Sequence, residues 1–272
     1  MSITSNITIA TATGGTLTIP LTVNTATAMP TGNITVGSKT WVPYILQDFN
    51  TAVPLGGFSG SPQAGVSYPG NAAYPLLSMY PEASGNGKYL PSKTMSVHDG
   101  MLDIYVHDVG TQAAGAAMAL TQPNGNWAYT GGRFSIRFRA DISAASYGTA
   151  IELWPNSDVW ADGEIDFPEG DFGGGINMYQ HNVGANPGTN YRAHQNLTAD
   201  WSAWHIATIE WIVGTSITYY LDGAQFEQIT DPTQIATSPH NWVIQTASHG
   251  GDNTASPTAQ GHLQIDWYTI HQ

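Results

Sequence analysis

Between Trp41 and the C-terminus the chain carries no run of apolar residues at helical spacing long enough for an amphipathic helix, and clusters of Gly, Pro, Asn and Asp interrupt it every few residues. The pieces between these breaks alternate apolar and polar residues with period two, as half-buried strands do. Strands are expected at Met101 to His107, Gly132 to Ala140, Thr149 to Trp154, Glu164 to Phe167, Ala203 to Ile212, Ile217 to Leu221, Trp242 to Ala247 and His262 to Ile270. Short strands at regular spacing define an all-β chain, and a two-sheet sandwich of jelly-roll type is the arrangement that buries them. With 272 residues the core is ample. Segment 51–88, rich in Gly, Pro, Ser and Tyr, is longer than a sandwich connection requires and is expected to border a cleft.

Residues 1–42 differ from the rest: twelve are Thr, none is acidic, and Lys39 is the one formal side-chain charge. Ile7 and Ile9, then Leu17, Ile19, Leu21 and Val23, alternate on either side of Gly14-Gly15, so two short strands joined by a turn are expected. Such a pair cannot make a core alone. It fits an extra strand pair on the main domain or a connector to another protein, and a flexible low-complexity linker has the same composition. The main domain is placed at 43–272.

A formal net charge of −13 with seven basic residues excludes phosphate backbones and anionic membranes as natural partners. The sequence has neither an 18-residue apolar run nor a basic segment leading into an apolar one, so neither a transmembrane helix nor a signal peptide is expected. Without Cys there are no disulfides, thiolate metal sites or cysteine nucleophiles. The nine His residues form no close pair of zinc-binding spacing.

Seven of the 20 acidic residues fall between Glu152 and Asp171, with no Lys or Arg among them. On the strand Glu164-Ile165-Asp166-Phe167-Pro168-Glu169, residues two apart share a face, so Glu164 and Asp166 point one way while Ile165 and Phe167 point to a core. Glu169 has the wrong parity unless Pro168, which cannot donate to a sheet ladder, marks a one-residue bulge. With that bulge, the α-carbons of Glu164 and Glu169 come to roughly 13 Å apart at ~3.3 Å per residue. Side chains leaning inward from there approach the ~5.5 Å carboxyl separation of a retaining glycosidase. Like charges so close raise at least one pKa, which separates an ionised nucleophile from a protonated acid. An ordinary half-exposed antiparallel strand shows the same alternation. The aromatic residues Tyr147, Trp154, Trp160 and Tyr179 lie near the acidic strand in sequence, and flat rings stack on the apolar faces of sugars. Trp204, Trp211, Trp242 and Trp267 are assigned to core.

Together these segments resemble glycoside hydrolase family 16, the group of laminarinases, lichenases, agarases and carrageenases. The resemblance runs in order through Gln47-Asp48-Phe49-Asn50, Asp99-Gly100-Met101-Leu102-Asp103-Ile104, and Gly132-Arg133-Phe134-Ser135-Ile136-Arg137. It continues through Trp160-Ala161-Asp162-Gly163 into the acidic strand, then Trp204-His205, Glu210-Trp211, Tyr219-Tyr220-Leu221-Asp222-Gly223, Gly250-Gly251 and Ile265-Asp266-Trp267. It implies a concanavalin-like jelly roll with a catalytic cleft on its concave sheet and retaining, endo-acting hydrolysis of a β-linked polysaccharide, β-glucan or β-galactan. In that scheme Glu164 is the nucleophile, Asp166 its hydrogen-bonding neighbour and Glu169 the general acid and base. His181 and Gln245 fall at cleft-lining positions. No cofactor is implied for the chemistry. Some members hold a structural calcium on the outer face, and Gly100 and Asp266 match its positions, although such an Asp can equally meet a backbone amide or an Arg.

Two departures touch substrate subsites: Ala150-Ile151-Glu152 stands where the family has Ala-Phe-Trp, with the Trp displaced to Trp154, and Ala161 replaces a common Pro. An extracellular or secreted enzyme is the family expectation. The Thr-rich start also fits a virion-borne depolymerase with residues 1–42 as its attachment segment. A carbohydrate-binding module on the same sandwich is the rival reading, since fold does not fix function. A polysaccharide lyase fits less well, because an acid-rich, base-poor centre repels uronates.

Overall fold

The computed structural model describes residues 2–10, 16–24, 28–82, 88–184, 191–196, 199–248 and 258–272. The first strands are β1 (Ser2–Ala10), β2 (Thr16–Asn24), β3 (Ile34–Val36), β4 (Lys39–Trp41), β5 (Pro43–Asp48), β6 (Leu77–Met79) and β7 (Lys88–Tyr89). After a single helical turn at Pro91–Thr94 come β8 (Met95–His98), β9 (Met101–Val109), β10 (Gln112–Gly115), β11 (Ala117–Leu120), β12 (Ala128–Tyr129), β13 (Gly132–Ala140) and β14 (Tyr147–Pro155). The chain ends with β15 (Glu164–Asp171), β16 (Ile176–His181), β17 (Tyr191–Asn196), β18 (His205–Ile212), β19 (Ser216–Leu221), β20 (Ala224–Ile229), β21 (His240–Ser248) and β22 (Gly261–His271). Among the described residues no helix is long and apolar enough to cross a membrane.

Two large sheets form the jelly roll. One has the order β20-β19-β18-β13-β22-β9-β10-β7, with β5 also on β22 and β8 also on β9. The other runs β17-β16-β15-β14-β21-β11-β6, with β12 also on β21. The N-terminal strands β1 and β2 pair antiparallel, Ser2 opposite Asn24 and Ala10 opposite Thr16, as a two-stranded sheet of their own. The turn expected at Gly14-Gly15 lies outside the described residues, as does Gly250-Gly251. Just before residue 43 the chain is already tied down: Trp41 is buried with its indole N–H on Glu210, and Val42 exchanges both backbone hydrogen bonds with Gln272.

The core lies between the sheets and follows from strand parity. On β14, Tyr147, Ile151 and Leu153 face inward, and on β15 Ile165 and Phe167 do, all of them at most 1 % exposed. From the opposite sheet come Phe134, Ile136 and Phe138 of β13 and Leu263, Ile265 and Ile270 of β22. Aromatic pairs bridge the layers: Phe134 meets Trp242 at 5.3 Å, Trp242 meets Tyr268 edge-on at 5.8 Å, and Phe167 meets Tyr219 at 5.9 Å and 90°. Each such pair adds about 0.5–1.5 kcal/mol beyond the area it buries. Trp211, Trp242 and Trp267 are core residues as expected, whereas Trp204 is half-buried on the outer face with Arg137 and Arg139 over its ring at 4.2 and 4.8 Å.

Phe167 anchors the inward face of the acidic strand. Its replacement by Ala is expected to cost about 3–5 kcal/mol and by Leu clearly less. Urea unfolding midpoints at constant m-value measure both.

Candidate active site

The acidic strand β15 is one residue longer than its neighbours require. On the β14 side Asp166 stands opposite Glu152 and Glu169 opposite Ala150, so three steps on β15 match two on β14. On the β16 side Asp166 stands opposite Tyr179 and Glu169 opposite Asn177, the same mismatch. The extra residue falls at Phe167-Pro168, whose peptide bond is cis. The expected bulge is therefore present in both ladders, and Glu164, Asp166 and Glu169 line one cleft while Ile165 and Phe167 stay in the core. At the start of the strand, Gly163 takes φ +91°, a conformation that a Cβ would strain. Its amide bonds to Trp160 and its carbonyl accepts from His240 Nε2 at 2.8 Å, which fixes the approach of Trp160 to Glu164.

The cleft, of about 660 Å³, lies over the sheet that contains β14 and β15. Its floor is a grid in which Tyr179, Asp166, Glu152 and Val243 form one row across four strands, and Glu169, Ala150, Gln245 and Ala117 another. One wall is Trp154, Trp160 and His181, with Trp154 and Trp160 edge-on at 5.6 Å and Trp160 edge-on to His181 at 4.9 Å. Asp158 accepts from the Trp154 indole at 3.0 Å. Tyr80 and Tyr89 stand at the other side, packed edge-on at 6.3 Å. Among the described residues no Lys or Arg lines this cleft.

Of the five carboxyl groups that line the cleft, Glu152, Glu164, Asp166 and Glu169 crowd together with no counter-cation among the described residues, and they cannot all ionise. Burial, then the charges of Glu164 and Glu169, raises Glu152 well above the usual carboxylate range, and the same causes raise Asp166. Burial pushes Glu164 up to about 7, against the pull of hydrogen bonds from Glu152 and Asp166 that favour its ionised form. Glu169 is pushed up to about 8 by burial and by the charges of Glu164 and Asp171. His181, whose pKa burial lowers, presents Nε2 at 3.5 Å from Glu164 and 3.3 Å from Asp166. Glu164, Asp166 and His181 have ligand atoms within 4.8 Å of one another, close enough for one ion. The carboxyls are raised toward their protonated forms there, and we assign no metal.

Of the residues expected to line a site, the structure brings Trp154, Trp160, His181 and Gln245 to the cleft with the three acids. It does not bring Tyr147, which is fully buried in the core and donates its hydroxyl to Asp108 at 3.1 Å. The reason is parity, since Tyr147 shares the face of Ile151 and Leu153. Gly100 sits in the β8–β9 turn at φ +76°, and the Asp266 carboxylate accepts from Arg137 at 2.5 Å. Asp266 thus meets an Arg, the alternative to calcium, and a single carboxylate already neutralised does not supply the six to eight oxygens that calcium takes. No step below passes through a metal at that place. Sequence reasoning missed Glu152, Tyr80 and Tyr89 as lining residues. Glu152 had a signal, because it shares the strand face of Ala150 and Trp154.

A cluster of proton-sharing carboxyls on the floor of an aromatic cleft in a jelly roll is the equipment of a glycoside hydrolase. The sequence profile of glycosyl hydrolases family 16 matches residues 88–269, well over half of the chain, and the chain belongs to that family. SCLam, a non-specific endo-β-1,3(4)-glucanase from that family, superposes at a TM-score of 0.67 and 16 % identity, covering 89 % of this chain and 95 % of its own. The catalytic domain of an endo-1,3-β-glucanase (laminarinase) from Thermotoga petrophila RKU-1 gives 0.63 and 16 %, covering 85 % and 98 %. The laminarinase from Rhodothermus marinus gives 0.63 and 18 %, covering 85 % and 97 %. No curated relative matches the chain in sequence.

The raised carboxyls have a stability consequence. A group whose folded pKa lies above its unfolded value stabilises fully below the unfolded pKa and loses that contribution as pH rises through the folded one. For this cluster the loss runs from the unfolded values near 4 to the folded values of about 7 for Glu164 and about 8 for Glu169. The melting temperature is expected to fall between pH 5 and pH 8.5. Asp166→Asn, which cannot ionise, falls less, by about 2–4 °C for each ~1 kcal/mol retained. Calorimetry of both proteins at the two pH values checks this.

Proposed function

We propose that the protein is a retaining, endo-acting hydrolase of a neutral β-linked glycan, with β-glucan the first substrate to test. The observation that carries the reading is the double register mismatch in β15, which sets Glu164, Asp166 and Glu169 on one cleft surface. Glu164 attacks the anomeric carbon as Glu169 gives its proton to the leaving oxygen. Water, deprotonated by Glu169, then releases the sugar from Glu164. Asp166, held protonated by burial and by the charges of its neighbours, donates to Glu164 and keeps it the ionised member of the pair.

The substrate class follows from the lining. Trp154 and Trp160 offer apolar faces to a pyranose. With five acids and no Lys or Arg among the described lining residues, sulfated or uronic chains are repelled and hydroxyl-rich neutral ones are not. Among similar folds, a SCLam variant was crystallised with 1,3-β-D-cellotriosyl-glucose and presents a trisaccharide, 1,3-β-D-cellobiosyl-glucose, at its active site.

A reducing-end assay over laminarin, mixed-linkage glucan and agarose, followed by NMR of the first product's anomer, tests the reading. Glu164→Gln and Glu169→Gln are expected to lose about 10²–10⁴-fold in kcat, and the product anomer to be β. Full activity in either variant, or an α product, overturns it. Binding without cleavage across the panel points to a carbohydrate-binding module instead.

The pH profile follows with its sign. Glu164 must be ionised, so kcat/KM rises as pH climbs through about 7, and Glu169 must be protonated, so it falls above about 8. A narrow bell centred between these values is expected. A profile that peaks below pH 5 contradicts it.

A further inference from the structure

Glu152 stands where the departure from the family pattern was largest, and the chemistry above gives it no task. It is 7 % exposed, on β14, opposite Asp166 and on the same cleft surface as Glu164. Its Oε2 accepts from Gln245 Nε2 at 3.1 Å, and Gln245 Oε1 in turn accepts from the Tyr89 hydroxyl at 2.7 Å. This chain of donors leads away from the nucleophile and fixes the Glu152 carboxyl by one oxygen. Glu164 lies diagonally across the ladder from it, because Glu152 stands opposite Asp166 and Asp166 shares its strand face with Glu164, and the two carboxyls line the same cleft. Glu164 Oε2 is itself buried, and among the described residues no N–H or fixed hydroxyl donates to it. Two neighbouring buried carboxyls repel each other when both are ionised, and a proton on one lets it donate to the other.

We propose that Glu152 is a positioning residue for the nucleophile: anchored by Gln245 and Tyr89, it holds a proton against Glu164 and so keeps that carboxylate ionised and aimed at the anomeric carbon. The inference rests on the reading of Glu164 as nucleophile. Proton balance is simple. When Glu164 bonds to the anomeric carbon, the bond to the leaving oxygen breaks and takes the proton of Glu169, while Glu152 keeps its own throughout. Glu164 then has a donor on either side, Asp166 along its own strand and Glu152 across from β14. The other titratable groups facing this pair are Glu169 on β15, Tyr179 and His181 on β16, Asp158 after β14, and Tyr80 and Tyr89 from the facing side; β21 contributes only Val243 and Gln245. None of them is a fixed cation that could replace the proton.

Two variants separate this role from packing. Glu152→Gln keeps an N–H donor toward Glu164 and an acceptor toward Gln245, whereas Glu152→Leu fills similar space with neither. Carboxyl titration by 13C NMR, with Glu164→Gln assigning the resonance, reads the effect without needing a substrate. Glu164 is expected to titrate within a few tenths of a unit of the parent in Glu152→Gln and about one unit higher in Glu152→Leu. On whichever glycan the parent cleaves, the acid limb of kcat/KM moves with it, while a mere packing defect lowers rate without moving the limb. Thermal melts establish that both variants are folded; if Glu152→Leu is not, Glu152→Met replaces it. An unmoved Glu164 titration in the folded apolar variant, or an equal shift in Glu152→Gln, overturns the proposal. A parent inactive on every glycan counts against the hydrolase reading alone, because the NMR result still decides the role of Glu152.

Discussion

The structure depends on one extra residue in one strand. A regular β15 would have to choose between burying Phe167 and presenting Glu169, because both cannot be served by a strict period of two. The mismatch at Phe167-Pro168 removes the choice. Upstream of it Ile165 and Phe167 lock into the aromatic layer with Tyr219 and Phe226, and downstream Glu169 returns to the face of Glu164 and Asp166. Core and site are thus held by the same eight residues.

The second constraint is electrostatic. A buried carboxylate is tolerated when a cation or several donors surround it, and among its described residues this cleft has few donors and no Lys or Arg. The remaining solution is to keep protons: burial first of all raises Glu152, Glu164, Asp166 and Glu169 above the usual carboxylate range, each in its own surroundings. Glycoside cleavage needs this distribution, with one ionised oxygen and one protonated one facing the same bond. Their separation by environment, rather than by residue type, allows carboxyl groups alone to do both jobs.

Much of this was legible in the residues. The bulge followed from the parity of Glu169 and the presence of Pro168, and strands such as Gly132–Ala140 were found to the residue because Arg133, Phe134, Ile136 and Phe138 alternate plainly. Other strands escaped notice. Ala117–Leu120 is buried on both faces and so carries no alternation, and its small residues serve the cleft floor by leaving room. Ile176–His181 hides its period because Gln180, on the core face, is polar; its amide is satisfied by Tyr219 and Gln234. Tyr147 was misassigned because proximity in sequence was weighed above parity. Glu152 belongs to the acidic cluster in sequence, but that it stands opposite Asp166 is a property of the sheet order, not of any one segment.

That no Arg is among the described residues lining the cleft owes much to the other sheet. Arg133, Arg137 and Arg139 share one parity on β13, and the inward turn of Phe134, Ile136 and Phe138 sends all three to the outer face. There they meet Glu210, Asp266 and Gln264, with Trp204 clasped between two of them. Alternation on β13 and alternation on β15 therefore act together across the sandwich: one sends guanidinium groups outward, the other gathers carboxyls in the cleft. In a chain with seven basic residues, each Arg held on the outside is one that cannot neutralise the cleft. An Arg beside Glu164 or Glu169 would lower both pKa values, leave the general acid ionised at neutral pH and end the division of labour.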